Sequence, residues 1–180
     1  MRSTTYSTHQ HRHNFAVWAA AQATLRGFTS RDYLREALES TAIEGFVEEP
    51  CGKDAFDGRH RTWCNGICDH LASIGVEGAT YGRAAKLVAV YLKSMVVLPD
   101  LQSDVTGYIH PPVDRIMLQN IAQDPDVNRE TSRVLRNASW TQSDEEEYFD
   151  ILQVLREVNG DQPLWRLEEY WDITSDRRRN

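Results

Sequence analysis

The most apolar helical pattern in the chain is Arg83-Ala-Ala-Lys86-Leu-Val-Ala-Val-Tyr-Leu-Lys93-Ser-Met-Val-Val97. Its apolar residues cover most sides of a helix, which is typical of a helix at the centre of a fold. Three glycines within residues 75–82 indicate a turn before it, and residues 99–107 form a loop after it. We therefore expect this segment to be a core helix, with the other elements packed around it.

Helical periodicity also dominates the rest of the chain, and strand patterns are scarce. Pro111-Pro112 forces an extended approach to a helix that Asp114 opens. Ser143 and Glu146 predict a capping box at the start of a later helix. The sequence predicts an all-α fold, an irregular multi-helix bundle built either as one unit or as two lobes with a cleft. Apolar residues recur at spacings of three and four in these further segments: 13–25, 30–38, 59–73, 114–122, 127–136, 143–158 and 163–171.

Length and composition fit one domain. The chain has 180 residues, and we predict a flexible leader at 1–12, a single all-α domain at 13–172 and a flexible basic tail at 173–180. No window approaches the roughly 18 apolar residues of a membrane helix. The polar N-terminus lacks a secretory signal, and three irregularly spaced cysteines fit a reducing compartment. We expect a soluble, cytoplasmic protein with no membrane contact.

Two of the three lysines in the chain, Lys86 and Lys93, lie in the apolar helix. A spacing of seven residues puts both on the same side of that helix, two turns apart. An ammonium group near an apolar core loses hydration, so its pKa falls and the neutral amine becomes accessible. A neutral amine can attack an electrophilic sugar carbon and form a Schiff base, so either lysine is a candidate nucleophile.

A carboxylate and a glycine-bearing turn accompany the lysines. Asp114 follows a rigid Pro-Pro step at a helix start, so its side chain should be held firmly. It could stabilise a cationic sugar or assist deprotonation of the amine. Backbone N–H groups at the turn before Arg83 could bind a phosphate without side-chain charge.

The order of these features, over roughly residues 75–121, resembles the core of the helix-hairpin-helix DNA glycosylases. It is most similar to the archaeal 8-oxoguanine DNA glycosylase branch. The resemblance implies two helical lobes with duplex DNA between them, and Lys86 as nucleophile with Asp114 as its partner. It favours Lys86 over Lys93 because Lys86 lies nearer the glycine turn. Gly82 and Arg83 become candidate phosphate contacts.

The implied activity is excision of a damaged or modified purine such as 8-oxoguanine, accompanied by AP-lyase cleavage and requiring no cofactor. Trp63, Trp165 and Trp171 are candidate side chains for stacking on a flipped base. No phosphate-loop, dinucleotide or nucleophile-elbow motif points to other chemistry.

The alternative is a non-catalytic helical interaction module, for example from a bacterial defence system or a mobile element. The net charge of −7 disfavours a broad nucleic-acid surface, and aromatic residues such as Trp140 and Trp171 could anchor a protein partner. In that case Asp114 is simply an N-cap and the lysines extend to water.

A metal-dependent helical nuclease or hydrolase is a third and weaker class. Cys64, Cys68 and His70 do not have a usual zinc spacing, so we predict no metal site.

Overall fold

The apolar segment forms a central helix over Tyr81–Leu92 in a computed structural model that describes residues 6–171. These residues form an all-α fold without a β-strand. The helices are α1 (Thr8–Thr24), α2 (Arg31–Glu39), α3 (Glu44–Glu48), α4 (Lys53–Ser73), α5 (Tyr81–Leu92), α6 (Arg115–Ile121), α7 (Arg129–Asn137) and α8 (Glu145–Asn159).

Helix α5 is buried along nearly its whole length, as predicted. Ten of its 12 residues are buried, and α1 and α4 pack against it from two sides. The buried hydrophobic residues of the described chain form one continuous cluster, from Ala16 in α1 to Leu167 near the end of the described residues. One core therefore holds all of these helices together. None of them is both long enough and apolar enough to cross a membrane.

The central helix continues beyond Leu92 in a different geometry. Residues Lys93–Val97 form a π-helical turn, closed by the Leu98 N–H donating to Lys93 O at 2.9 Å. The apolar pattern up to Val97 is thus helical throughout. A π-turn shifts the positions that follow it around the helix axis, and such turns are frequent near functional sites.

The start of α1 differs from the sequence prediction. Ser7 caps the helix, and its hydroxyl accepts a hydrogen bond from Gln10 N at 3.1 Å. Residues 8–12, predicted to belong to a flexible leader, are therefore the first helical turn. Residues 1–5 and 172–180, and with them the predicted basic tail at 173–180, lie outside the described residues.

Other boundaries shift for similar local reasons. The capping box of α8 uses Asp144 and Glu147, one residue later than predicted, because the Ser143 hydroxyl instead donates to Trp140 O at 2.9 Å. Helix α3 lies between the predicted helical segments 30–38 and 59–73, where the sequence predicted no helix. The last predicted helix is a 3₁₀ segment, Leu164–Tyr170.

Gly82 allows α5 to contact the turn before α8. Its N–H donates to Ser143 O at 3.1 Å. A Cβ atom at this position would lie 1.8 Å from Trp140 O and 2.4 Å from Ser143 Oγ. Because the first of these neighbours is backbone, only glycine permits this approach of the two segments.

We expect Gly82→Ala to lower the free energy of unfolding by about 1–3 kcal/mol or more, since the new methyl group must displace the backbone of Trp140. The matched control is Gly58→Ala in α4, where a Cβ has no neighbour within 4 Å. That variant should gain roughly 0.5–1 kcal/mol from better helix propensity. Urea unfolding of both variants measures this. Equal stability of Gly82→Ala and the wild type would contradict the packing argument.

Candidate active site

Lys86 and Asp114 form a buried ion pair. Lys86 Nζ lies 3.2 Å from Asp114 Oδ2, and each side chain is only 6% exposed. Helix α5 contributes the lysine, and the residue that caps α6 contributes the aspartate. The two residues singled out in the sequence as nucleophile and partner are therefore in direct contact.

The two oxygens of Asp114 have separate partners. Oδ1 accepts hydrogen bonds from the backbone N–H groups of Ile116 at 2.9 Å and Met117 at 3.0 Å, which is the N-cap interaction of α6. Oδ2 accepts from Lys86 and from the Trp171 indole N–H at 2.9 Å. Capping and ion pairing thus occur together, and four donors hold the carboxylate in one orientation.

Burial governs the ionisation of Lys86. Loss of hydration lowers the pKa of its ammonium group, whereas the charge and hydrogen bond of Asp114 oppose that change. The Nζ atom also lies 4.8 Å from the centre of the Trp140 ring. The net effect is a lowered pKa, which makes the neutral amine easier to reach than for a lysine in water.

Lys93, the alternative nucleophile, has a different partner. Its ammonium group contacts the carboxylate of Glu168, and it lies 5.6 Å from the centre of the Trp171 ring. Its side chain is 27% exposed. Trp171 therefore lies near Lys93 and is bonded to Asp114, but of the two lysines only Lys86 is paired with Asp114.

The groups expected to hold a phosphate at the start of α5 have partners inside the protein. The Gly82 N–H is bonded to Ser143 O, and the Arg83 N–H donates to Thr80 Oγ1 at 3.4 Å. The Arg83 guanidinium donates to Gly78 O at 2.5 Å and lies 4.3 Å from the centre of the Phe28 ring. The two backbone N–H groups are therefore engaged within the protein, whereas Arg83 Nε has no hydrogen-bond partner. The expected phosphate contact at Arg83 stays a prediction.

The three tryptophans chosen as base-stacking candidates occupy different environments. Trp63 is 4% exposed and packs against Phe46 and Phe56, so it is a core residue and cannot reach a ligand. Trp165 is partly buried against the core. Trp171 is 41% exposed and lies at the ion pair. Trp140, which the sequence suggested only as an anchor for a partner, lies 4.8 Å from Lys86 Nζ, measured to the ring centre.

A second polar centre was not predicted from the sequence. His110 donates its Nε2–H to Asp57 Oδ1 at 2.9 Å, which leaves Nδ1 to accept from the Tyr148 hydroxyl at 3.2 Å. Arg156 donates to both Asp57 oxygens. The His60 ring lies 4.4 Å from that of His110, measured between ring centres. These residues come from α4, α8 and the segment before α6, so only the tertiary structure brings them together.

Charge and burial act in opposite directions in this centre. Burial lowers the pKa of His60 and of His110, so both rings stay neutral near pH 7. Burial alone would raise the pKa of Asp57, but hydrogen bonds from His110 and Arg156 hold it well below its usual range. Asp57 and Arg156 also line a surface cavity of about 660 Å³. The result is an ionised Asp57–Arg156 pair beside two neutral rings.

The described residues contain no group of three or more His, Cys, Asp or Glu side chains that could hold a metal ion. Cys51, Cys64 and Cys68 are free thiols. Cys64 lies in the core, with its Sγ 3.7 Å from His60 Nδ1. Packing therefore accounts for the pair of cysteines four residues apart in α4.

We expect His60→Phe to weaken the pH dependence of stability in mild acid. Folding holds the pKa of His60 well below 6.5, so only the unfolded chain takes up a proton as the pH falls through that value. The stabilisation is present above pH 6.5 and is lost below it, by roughly 1–2 kcal/mol between pH 6.5 and pH 5. Urea unfolding from pH 5 to 8 measures this difference. An identical pH slope in the variant would show that His60 does not titrate on unfolding.

Comparison with known proteins identifies no relative. No family model matches the chain, and no curated protein or solved structure matches it. The side chains of the site and their surroundings are therefore the basis for assigning a function.

Proposed function

We propose that this protein is a DNA glycosylase with AP-lyase activity, which excises a damaged or modified purine such as 8-oxoguanine from duplex DNA. Lys86 is the nucleophile and Asp114 its partner. The observation that carries the proposal is the buried Lys86–Asp114 pair, with the Trp140 ring near Lys86 and the Trp171 indole bonded to Asp114. It combines an amine of lowered pKa with a fixed carboxylate and aromatic surfaces in one place.

The proposed reaction begins with transfer of a proton from Lys86. Lys86 must lose one before it can attack, and Asp114 Oδ2, 3.2 Å away, is the acceptor already in contact with it. The neutral amine then bonds to C1′ of the target nucleotide. The C1′–N9 bond breaks, and its electron pair leaves with the purine, which takes up a proton. The C1′–O4′ bond then breaks, O4′ takes up a proton, and the opened sugar is joined to Lys86 by a Schiff base at C1′.

The Schiff base explains strand cleavage. A base removes a proton from C2′, a C2′=C3′ double bond forms, and the bond between C3′ and the phosphate oxygen breaks. The strand is therefore cut on the 3′ side of the lesion. Water then releases Lys86 as the free amine. Asp114 keeps the orientation imposed by the N–H groups of Ile116 and Met117. Once it has passed the proton from Lys86 to the departing purine it is ionised again, and its charge then stabilises the cationic Schiff base at C1′.

The aromatic residues supply the rest of the pocket. Trp171 is 41% exposed, so its ring can stack on a base turned out of the duplex. Because Lys86 is only 6% exposed, entry of a nucleotide requires Trp171 to release its hydrogen bond to Asp114 Oδ2. That release also frees the oxygen that accepts the proton. Substrate entry and activation of Lys86 are therefore linked in this proposal.

A non-catalytic interaction module is the second candidate, favoured by one observation. Phe15 and Trp18 of α1 are 55% and 52% exposed, with ring centres 5.9 Å apart, and Tyr33 of α2 is 44% exposed. Exposed aromatics of this kind anchor protein partners. Trp140, one of the anchors suggested by the sequence, is 5% exposed and cannot serve in that way. In this alternative the Lys86–Asp114 pair has only a structural role.

Borohydride trapping distinguishes these two functions. Purified protein is mixed with labelled duplexes that contain 8-oxoguanine, an abasic site or undamaged guanine, and the Schiff base is reduced to a stable adduct. We expect an adduct with damaged DNA that disappears in Lys86→Gln. Asp114→Asn should lower its rate of formation by about 100-fold or more. Lys93→Gln is the matched control, because Lys93 is also paired with a carboxylate, and should retain the adduct.

Each outcome has a defined meaning once circular dichroism and urea unfolding have shown that the variants are folded. If the adduct survives in Lys86→Gln and disappears in Lys93→Gln, the Schiff-base mechanism is supported and Lys93 is the nucleophile. The absence of an adduct on every duplex would contradict the lyase mechanism and favour the interaction module.

A further inference from the structure

Three arginines line a small pocket beside Trp140. Arg26, Arg115 and Arg136 line a cavity of about 220 Å³, and no carboxylate is among its lining residues. The arginines come from the loop after α1, the first residue of α6 and the end of α7. The Trp140 ring that forms part of this wall also contacts Lys86 Nζ. The pocket is therefore adjacent to the candidate active site.

These guanidinium groups are not neutralised within the part of the chain that the structure describes. None of the three makes an ion pair there, whereas Arg61, Arg156 and Arg166 each contact a carboxylate. This is unexpected in a chain of net charge −7, which has carboxylates in excess. Like charges in one pocket repel each other, so an anion that enters it removes an unfavourable interaction.

Neutral groups orient the arginines instead. Arg136 Nη2 donates to Ala122 O at 3.0 Å, and Arg115 Nε lies 2.9 Å from the side-chain amide of Gln119. Arg26 lies 5.5 Å from the centre of the Trp140 ring. These interactions fix the direction of each side chain without cancelling its charge. Most of the donors of each guanidinium stay available to a ligand.

The backbone at Arg26 supports a ligand role. Its φ angle is +30°, and that of the following Gly27 is +76°. The left-handed region is unfavourable for any residue with a Cβ, and such strain concentrates at functional sites. Glycine would meet the conformational demand at position 26 with less strain. The presence of arginine there implies a use for its side chain.

We propose that this pocket binds a phosphate group, held by the guanidiniums of Arg26, Arg115 and Arg136. Its volume of about 220 Å³ is below the roughly 300–1,000 Å³ of pockets that enclose a whole drug-sized ligand, so it suits one charged group of a larger molecule. The identification of that molecule rests on the proposed function: the group is a DNA backbone phosphate near the target nucleotide. A free phosphorylated compound has the same chemistry and is the other possible source.

The salt dependence of DNA binding tests the first source. A labelled duplex with a stable abasic-site analogue is titrated at several NaCl concentrations with the wild type, Arg26→Gly, Arg115→Gln and Arg136→Gln. Loss of one phosphate contact should reduce the slope of log Kobs against log[NaCl] by about one unit. Arg166→Gln is the matched control, since this arginine lies outside the pocket and is paired with Glu169. Its slope should equal that of the wild type.

Arg26→Gly separates binding from folding. Glycine relieves the left-handed backbone, so this variant should be at least as stable as the wild type in urea while it binds DNA less well. If Arg26 only supported the fold, its replacement by glycine would lower stability and leave DNA binding unchanged. Arg136→Gln also loses the hydrogen bond to Ala122 O, which could lower stability. Its DNA affinity is therefore compared with that of the wild type only if urea unfolding shows equal stability.

Inorganic phosphate tests the second source. Its effect on the thermal unfolding midpoint is compared with chloride at equal ionic strength, for the wild type and for Arg26→Gly. One result would be that phosphate raises the unfolding midpoint of the wild type but not that of Arg26→Gly, while the salt slopes of DNA binding are the same in all variants. That result would assign the pocket to a free phosphorylated ligand. If the salt slopes of DNA binding are unaltered and phosphate does not change the unfolding midpoint, the proposal is overturned. Altered salt slopes without a borohydride adduct would support the phosphate pocket and contradict the proposed lyase mechanism.

Discussion

The fold depends on the placement of a cation within its most buried helix. An unpaired ammonium group at 6% exposure would be strongly unfavourable, and Asp114 offsets this by contact with Lys86 Nζ. Removal of one partner of such a pair commonly costs about 3–5 kcal/mol. The carboxylate in turn begins α6 by accepting from two backbone N–H groups. One aspartate thus joins the central helix to the C-terminal half of the described chain.

Two further contacts cover this pair, and each depends on a local constraint. The absence of a side chain at Gly82 lets the segment that carries Trp140 approach α5, and the Trp140 ring then lies against Lys86. On the other side, the 3₁₀ segment ending at Tyr170 brings the Trp171 indole to Asp114. One tryptophan thus lies at each partner of the polar pair, whose side chains are 6% exposed.

The structure separates two polar centres with different properties. Around Lys86 the pKa of an amine is lowered, and the Trp140 ring lies next to a pocket lined by three arginines. Around His110 the charges are already matched, because Arg156 neutralises Asp57 and the imidazoles are neutral. The proposed function rests on the first arrangement, whereas the second makes the stability of the fold depend on pH.

The sequence alone was sufficient for the all-α class, the buried helix and the cap at Asp114, because these depend on residue spacings within one or two turns. The same periodicity placed Lys86 on a buried face. It did not specify that Lys86 rather than Lys93 would contact Asp114, 28 residues further along the chain. Nor did it indicate that Trp140 and Trp171 cover the pair, that Gly82 serves packing, or that Arg26, Arg115 and Arg136 share one pocket. Those contacts depend on the lengths of loops and the angles between packed helices, which only the assembled tertiary structure determines.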